Sequence, residues 1–156
     1  MTTSNPTAES TDRIEKKFHV NAPVSRVWRA VSNHEEFGSW FRMTIDRPFA
    51  TGESVLGRIT IPGYEHVTVE MRIERIEPEN YFSYRWHPYA VDPAIDYSAE
   101  PMTLVEFRLE AAQGGTSVTI VESGFDRLPS DRRAEAFRMN QGGWDGQARN
   151  LAAHVG

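Results

Sequence analysis

Residues 13–41, with the sequence RIEKKFHVNAPVSRVWRAVSNHEEFGSWF, decide the fold because their hydrophobic period changes within one short stretch. Over residues 13–20 the apolar side chains of Ile14, Phe18 and Val20 share one face, and charged or polar side chains occupy most other positions. Alternation of this kind is typical of a β-strand with one buried face. The first element of the fold is therefore predicted to be a strand.

Two short helices are predicted after this strand. Apolar residues in 24–31 recur at the three- and four-residue spacing of an amphipathic helix, and Pro23 suits its first position. Asn33 and Glu36 have the spacing of a capping box, in which each side chain bonds the backbone N–H of the other. We therefore expect a second short helix within residues 33–41 (NHEEFGSWF), ending near Gly38.

The middle of the chain predicts a run of antiparallel strands. A phase slip at Arg75 and Ile76 indicates a bulge or the end of a strand. Residues 88–101 contain three prolines and no period, so they are expected to form a loop. Strands are expected over residues 53–61, 66–77, 81–87, 102–112 and 116–123.

The longest helix is predicted at the end of the chain. Ser130 suits a helix N-cap, and an apolar stripe continues from there in steps of three and four residues as far as Val155. At about 1.5 Å per residue this helix would be about 39 Å long, enough to cross a whole sheet. Antiparallel strands with one apolar face need a covering layer, which this helix can supply. The predicted class is α+β.

Length and composition favour one globular domain. The chain has 156 residues, of which 39% are hydrophobic and 25% charged. These values are near those of a single domain that builds a core without disulfides. We expect that domain over residues 12–156. Residues 1–11 are rich in serine, threonine and other polar residues and contain no apolar run, so they are predicted to form a disordered tail and not a signal peptide.

Charge and residue counts exclude several classes of function. A net charge of −5 argues against a surface for nucleic acid. The longest apolar runs are far shorter than the roughly 20 residues of a membrane span. The sequence has no cysteine, its histidines lack metal-ligand spacing, and nucleotide and hydrolase motifs are missing. We expect a cytoplasmic protein without metal or cofactor.

The order of elements and several short motifs resemble the helix-grip (SRPBCC) superfamily, which includes START, birch-pollen allergen and polyketide cyclase domains. Within it, the likeness is strongest to the activator of Hsp90 ATPase homologue 1-like branch and extends over residues 14–155. The matching residues are Ala22, Pro23, Val27, Trp28, Trp40, Phe41, Gly143 and Trp144.

This resemblance implies a fold but not a single function. It implies a helix-grip fold, in which a curved antiparallel sheet wraps around a long C-terminal helix, two short helices follow the first strand, and a mostly apolar cavity lies between sheet and helix. Members bind lipids, hormones or polyketides, some catalyse ring chemistry, and others contact proteins. The co-chaperone activity of the branch belongs to longer proteins with an extra N-terminal Hsp90-binding domain, so we do not transfer it to this sequence.

Glu122 is the candidate polar group of that cavity. It continues the apolar stripe of residues 116–123, so its carboxylate is expected to point inward, where burial demands a partner or a raised pKa. Lys16 breaks the apolar face of the first strand in the same way. If the first and last strands pair antiparallel, Lys16 would lie opposite Glu122, and Val20 opposite Val118. The carboxylate would then either face a ligand or form a structural pair.

Aromatic side chains supply the other candidate contacts. Indole N–H and phenol O–H groups in an apolar pocket orient a small hydrophobic ligand, although the same rings also fill an ordinary core. Glycines in the last helix either make room for a ligand or a ring, or allow a bend. The candidate ligand-binding residues are Trp28, Trp40, Phe41, Met71, Tyr84, Trp86, Glu122, Phe125, Gly143 and Trp144.

Three functions remain open at this point. The leading prediction is binding of a small hydrophobic molecule between the sheet and the C-terminal helix, without chemistry of its own. A space there below about 300 Å³ would contradict it. The first alternative is a cyclase- or hydratase-type enzyme with Glu122 as general acid or base. The second is a protein-interaction module related to Hsp90 co-chaperone domains, and a protein partner or a homodimer stays open.

Overall fold

The computed structural model describes residues 11–156, and most of the predicted N-terminal tail lies outside them. The strands are β1 (Arg13–Val20), β2 (Met43–Ile45), β3 (Ser54–Ile59), β4 (Thr68–Glu77), β5 (Tyr81–Trp86), β6 (Thr103–Ala112) and β7 (Gly115–Ser123). The helices are α1 (Val24–Ser32), α2 (His34–Phe41) and α3 (Arg133–Val155), and a short 3-10 helix covers Phe125–Arg127.

Within residues 11–156 the seven strands form one antiparallel sheet in the order β1-β7-β6-β5-β4-β3-β2. The predicted α+β class and helix-grip architecture are confirmed: a curved sheet, two short helices after the first strand, and a long C-terminal helix. The sequence analysis missed β2, which has three residues and is too short to show a period. The predicted irregularity of β4 is confirmed by a register shift against β5 between Ile73 and Arg75.

Helix α2 begins as predicted but ends later. The side chain of Asn33 accepts hydrogen bonds from the backbone N–H groups of Glu35 and Glu36, both at 3.0 Å. The helix passes through Gly38 and ends at Phe41, beyond which Arg42 adopts a left-handed conformation with φ of 72°. A Cβ atom at Gly38 would collide with the carbonyl oxygen of Met43. The predicted end at Gly38 is wrong because this glycine allows β2 to pass close to the helix.

Helix α3 begins two residues later than predicted, with Arg132 and not Ser130 as its N-cap. The N–H groups of Arg132 and Arg133 both donate to the carbonyl oxygen of Pro129 at 3.0 Å, so residues 129–132 form a separate turn. Ser130 therefore lies in this turn and is not the N-cap. The buried side of α3 carries Ala136, Trp144, Leu151 and Val155.

The core lies between one face of the sheet and the three helices. Phe37 of α2 is fully buried and lies at the centre of a cluster of aromatic rings. The ring centroids of Trp40, Phe41, Phe49, Phe82, Tyr84 and Phe107 all lie between 4.7 and 6.4 Å from that of Phe37. No helix within the described residues is both long enough and apolar enough to cross a bilayer.

Candidate ligand-binding site

A cavity of about 430 Å³ lies between the sheet and the first half of α3, at the end of the sheet where β5 ends. We call it the main cavity. Tyr64 and Met139 line it and are 48% and 39% exposed, so they mark its mouth. Its apolar lining includes Phe41, Ile59, Val69, Trp86, Tyr89 and Val91.

One wall of the main cavity is the loop of residues 87–102, which the partly buried Arg132 ties to α3. The guanidinium of Arg132 donates from Nε to the carboxylate of Glu100 at 3.0 Å and from Nη1 to the carbonyl oxygen of Tyr89 at 3.1 Å. Its carbon atom Cζ also lies 4.7 Å from the ring centroid of Tyr97. These contacts restrain the wall, because breaking a largely desolvated ion pair is costly.

His87 offers a free polar atom beside the main cavity. Its ring follows β5 directly and lines the cavity. The Nδ1 atom is buried and has no hydrogen-bond partner within residues 11–156. Burial lowers the pKa of His87, although the charges of Glu70 and Glu100 oppose this shift. An unpaired buried polar atom costs about 1–3 kcal/mol.

The carboxylate of Glu122 is fully buried and accepts four hydrogen bonds. Trp86 Nε1 and Thr103 Oγ1 donate to one carboxylate oxygen at 2.7 and 2.6 Å. Trp144 Nε1 and Asn140 Nδ2 donate to the other at 2.8 and 3.0 Å. Two donors at each oxygen are close to the full capacity of a carboxylate. We call these five residues the Glu122 cluster.

Burial raises the pKa of Glu122, while the hydrogen bonds from Thr103, Trp86, Trp144 and Asn140 act in the opposite direction because they favour the charged form. Burial also raises the pKa of the Tyr84 phenol, and the charge of Glu122 adds to this shift. The donors surround Glu122 with protein groups on both oxygens. The cluster therefore joins β5, β6, β7 and α3 in the interior of the fold.

The Glu122 cluster and the main cavity share two residues. Trp86 and Asn140 both donate to Glu122 and both line the cavity. Because their N–H groups are fixed on the carboxylate, the indole face of Trp86 and the edge of Asn140 are held in place at the cavity wall. Glu122 thus acts on the cavity through its neighbours.

The predicted pairing of Lys16 with Glu122 is wrong. In the β1–β7 register Ile14 lies opposite Glu122, and Lys16 lies opposite Ile120, a shift of two residues. Lys16 instead forms an ion pair with Asp145 of α3, with Nζ at 3.0 Å from the carboxylate. The two inward charges therefore find separate partners, and α3 supplies a partner to each.

The structure brings some of the predicted site residues to the main cavity and places others elsewhere. Phe41 and Trp86 line the cavity, while Glu122 and Trp144 lie behind its wall in the Glu122 cluster. Gly143 lies on the exposed side of α3, where an added Cβ would have no neighbour within 4 Å. The remaining five, Trp28, Trp40, Met71, Tyr84 and Phe125, are part of the core or pack against it.

The sequence analysis missed several lining residues because they lie in segments without a hydrophobic period. In an antiparallel meander the β3–β4 and β5–β6 connections lie at the same end of the sheet. The irregular residues 60–67 and 87–102 are these two connections, so their meeting could have been foreseen from the strand order. Tyr64, His87 and Tyr89 are among the lining residues missed in these connections. Met139 and Asn140 were missed because they lie outside the predicted apolar stripe of α3.

The fold and this cavity define the class of protein. A curved antiparallel sheet that grips a long C-terminal helix, with an apolar cavity between them, is a helix-grip domain. The sequence model of one family, described as Activator of Hsp90 ATPase homolog 1-like protein, matches residues 21–156. The chain belongs to this family. Membership fits a domain that binds a ligand or interacts with another molecule.

Solved structures share the fold at low sequence identity. Protein MLL2253 from Mesorhizobium loti is 21% identical with a TM-score of 0.72, and the match covers 92% of this chain and 96% of that one. The Aha1 dimer from Colwellia psychrerythraea is 13% identical with a TM-score of 0.70, covering 92% and 95%. DynU16 from the dynemicin biosynthetic locus is 22% identical with a TM-score of 0.70, covering 92% of this chain and 47% of that one. No curated protein matches the sequence significantly.

Proposed function

We propose that this protein binds a small hydrophobic molecule in the main cavity, as a cytoplasmic binding protein without chemistry of its own. The observation that carries the proposal is the cavity of about 430 Å³ between the sheet, α3 and the loop of residues 87–102. Small-molecule sites have volumes of about 300–1,000 Å³ and are lined mainly by apolar groups. The main cavity meets both criteria.

The polar groups of the cavity support a role in orienting the ligand. The lining includes the imidazole side chain of His87 and the hydroxyl groups of Thr68 and Ser98. A few polar groups on apolar walls fix the orientation of a ligand while the walls supply most of the affinity.

Binding is better supported than acid–base catalysis at Glu122. A general acid or base must come within about 3.2 Å of the proton it transfers. The carboxylate oxygens of Glu122 each already accept two hydrogen bonds, and Trp86 and Asn140 stand between Glu122 and the cavity. This arrangement supports Glu122 as a group that positions the cavity wall.

A fluorescent hydrophobic probe tests the proposal. We expect phenylnaphthylamine, a neutral aromatic compound, to bind the wild-type protein with one site per chain. Val69→Phe adds a ring to the cavity lining and should weaken binding at least about tenfold by occupying the same space. Leu56→Phe is the matched control because Leu56 is 47% exposed and does not line the cavity.

The outcomes separate the proposal from unspecific adsorption. Binding that Val69→Phe weakens and Leu56→Phe leaves unchanged supports the main cavity as the site. Absence of binding, or binding equally strong in all three proteins, would overturn the proposed function. Circular dichroism and thermal unfolding of both variants verify that the fold is retained.

A further inference from the structure

A second cavity of about 280 Å³ adjoins the main cavity and has a different character. Its lining combines three guanidinium groups with one imidazole, one hydroxyl and one carboxylate. We call it the basic pocket, and these residues are Arg72, Arg85, Arg127, His87, Ser98 and Glu100.

The positive charges of the basic pocket are incompletely neutralised. Arg72 of β4 and Arg85 of β5 lie directly opposite each other, and like charges in that position repel. Arg85 pairs with Glu74 at 3.3 Å. Neither Arg72 nor Arg127 has an ion-pair partner among the described residues within 4.0 Å.

The single carboxylate in the lining does not cancel these charges. Glu100 is held by Arg132, which lies outside the basic pocket on the other side of the loop. The protein as a whole carries a net charge of −5, so a cluster of unpaired arginines does not follow from its composition. An anion is the ligand that such a group of guanidiniums would stabilise.

The two cavities meet at His87 and Ser98, which line both. Arg72 and Arg85 alternate with buried residues of β4 and β5, so they lie on the outer face of the sheet. A molecule that occupies both cavities therefore passes the end of β5 at His87 and Ser98.

We propose that the basic pocket binds the anionic group of the same ligand whose apolar body fills the main cavity. The ligand class is an amphipathic organic anion, with a carboxylate, sulfonate or phosphate as its charged group. This inference rests on the proposed function, because it assigns the chemistry of the ligand bound there. Charge-assisted hydrogen bonds to arginine would select the anion over a neutral molecule with the same apolar body.

Two probes with the same ring system test this proposal. Anilinonaphthalene sulfonate and phenylnaphthylamine differ by one sulfonate group. We expect the wild-type protein to bind the sulfonate at least about tenfold more tightly, a preference within the range of one or two charge-assisted hydrogen bonds. The double variant Arg72→Gln, Arg127→Gln should remove this preference and leave the affinity for phenylnaphthylamine within about twofold of wild type.

A control variant distinguishes the pocket from general attraction to positive charge. Arg58 of β3 is exposed and lies outside both cavities, so Arg58→Gln removes one charge and should keep the preference. The inference would be overturned if Arg58→Gln reduced the preference for the sulfonate as much as Arg72→Gln and Arg127→Gln each do. Val69→Phe should lower the affinity for both probes, because both need the main cavity. If this variant still bound the sulfonate as tightly as wild type, the two cavities would not be occupied by one ligand.

The remaining outcomes separate this inference from the proposed function. If the wild-type protein binds both probes equally and the arginine variants change nothing, the inference fails and the proposed function stands. If it binds neither probe, the proposed function fails and the inference fails with it.

Discussion

The layer between the sheet and the helices is filled at one end and open at the other, although aromatic rings are abundant at both ends. Under α2 the rings around Phe37 are in contact with one another, and Phe41 is the one among them that lines the main cavity. Under the loop of residues 87–102 the rings of Trp86 and Tyr89 line the main cavity. A helix presents side chains at regular intervals that fill the space above a sheet, whereas a loop fixed by a few contacts leaves that space open. In this protein the open region is the one where a loop completes the wall beside α3.

The Glu122 cluster lies at the boundary between the filled and the open regions. The ring of Trp86 packs against Phe41 and Trp144, with centroids 5.8 and 5.9 Å away, and also lines the cavity. Changes in this cluster, in the loop and in α3 should therefore affect the two regions differently, and the following predictions use that difference.

The largest effect is expected for Glu122→Ala. The substitution leaves the buried donors of Trp86, Thr103, Asn140 and Trp144 without an acceptor. We expect the free energy of unfolding to fall by about 4 kcal/mol, as measured by urea denaturation.

Glu110→Ala is the matched control, because Glu110 is an exposed carboxylate in the neighbouring strand β6. This variant should change the free energy of unfolding by less than about 0.5 kcal/mol. Similar results for the two variants would contradict a structural role for the Glu122 cluster.

Arg132→Gln is expected to have the next largest effect and to act on the open region. It removes the charged contacts to Glu100 and to the carbonyl oxygen of Tyr89, which fix the cavity wall. We expect a loss of about 2–3 kcal/mol in stability and faster amide hydrogen exchange in residues 89–100. Exchange around Phe37 should stay slow. Arg138→Gln, at an exposed position of α3, is the control, and equal exchange in both variants would argue against the tie.

The pH dependence of stability sharpens the assignment of Glu122. Burial raises the pKa of Glu122 in the folded state above the ordinary value of 4.5, which applies to the unfolded state. At a pH between the two pKa values, the folded state keeps the proton and the unfolded state has lost it. Its contribution to stability is therefore complete below about pH 4.5 and declines as the pH rises through the folded-state pKa.

Glu122→Gln, which does not titrate, provides the reference for this measurement. Relative to that variant, the wild-type protein should lose at most about 1.4 kcal/mol of unfolding free energy per pH unit within this interval. Denaturation curves at a series of pH values measure the difference. If the unfolding free energy of the wild-type protein instead rose with pH relative to that of Glu122→Gln, hydrogen bonds and not burial would dominate the pKa of Glu122.

The smallest effect is expected for Gly143→Ala, with the opposite sign. An added Cβ would have no neighbour within 4 Å, and alanine favours helices over glycine. We expect stability to rise by about 0.5–1 kcal/mol, measured as an increased melting temperature, with unchanged binding of phenylnaphthylamine. Gly38→Ala should instead destabilise the fold, because its Cβ would collide with Met43. Weaker probe binding by Gly143→Ala would show that this glycine makes room for the ligand.

The sequence predicted the fold better than the site, for a physical reason. The periods of β1, β4 and α3 follow from burying one face, which is a local property of each element. The partner of Lys16 was not predictable in this way, because Asp145 comes from a helix whose rotation against the sheet depends on packing. His87 and Arg132 also carry no periodic signal, since loop contacts depend on where two distant segments meet. Glu122 was predicted as a site residue because its charged side chain occupies a position in the apolar stripe of β7.

The arrangement of donors around Glu122 has a consequence for how the chain folds. The residues that donate to its carboxylate are separated from it by 18 to 36 positions along the chain. Water must leave the carboxylate before the last donor arrives. A partly docked C-terminal helix would therefore leave a dehydrated charge without its full set of hydrogen bonds. Sheet closure and helix docking are therefore coupled in one late step. Intermediates with only one of the two in place are disfavoured, and the domain is expected to open and close as a unit.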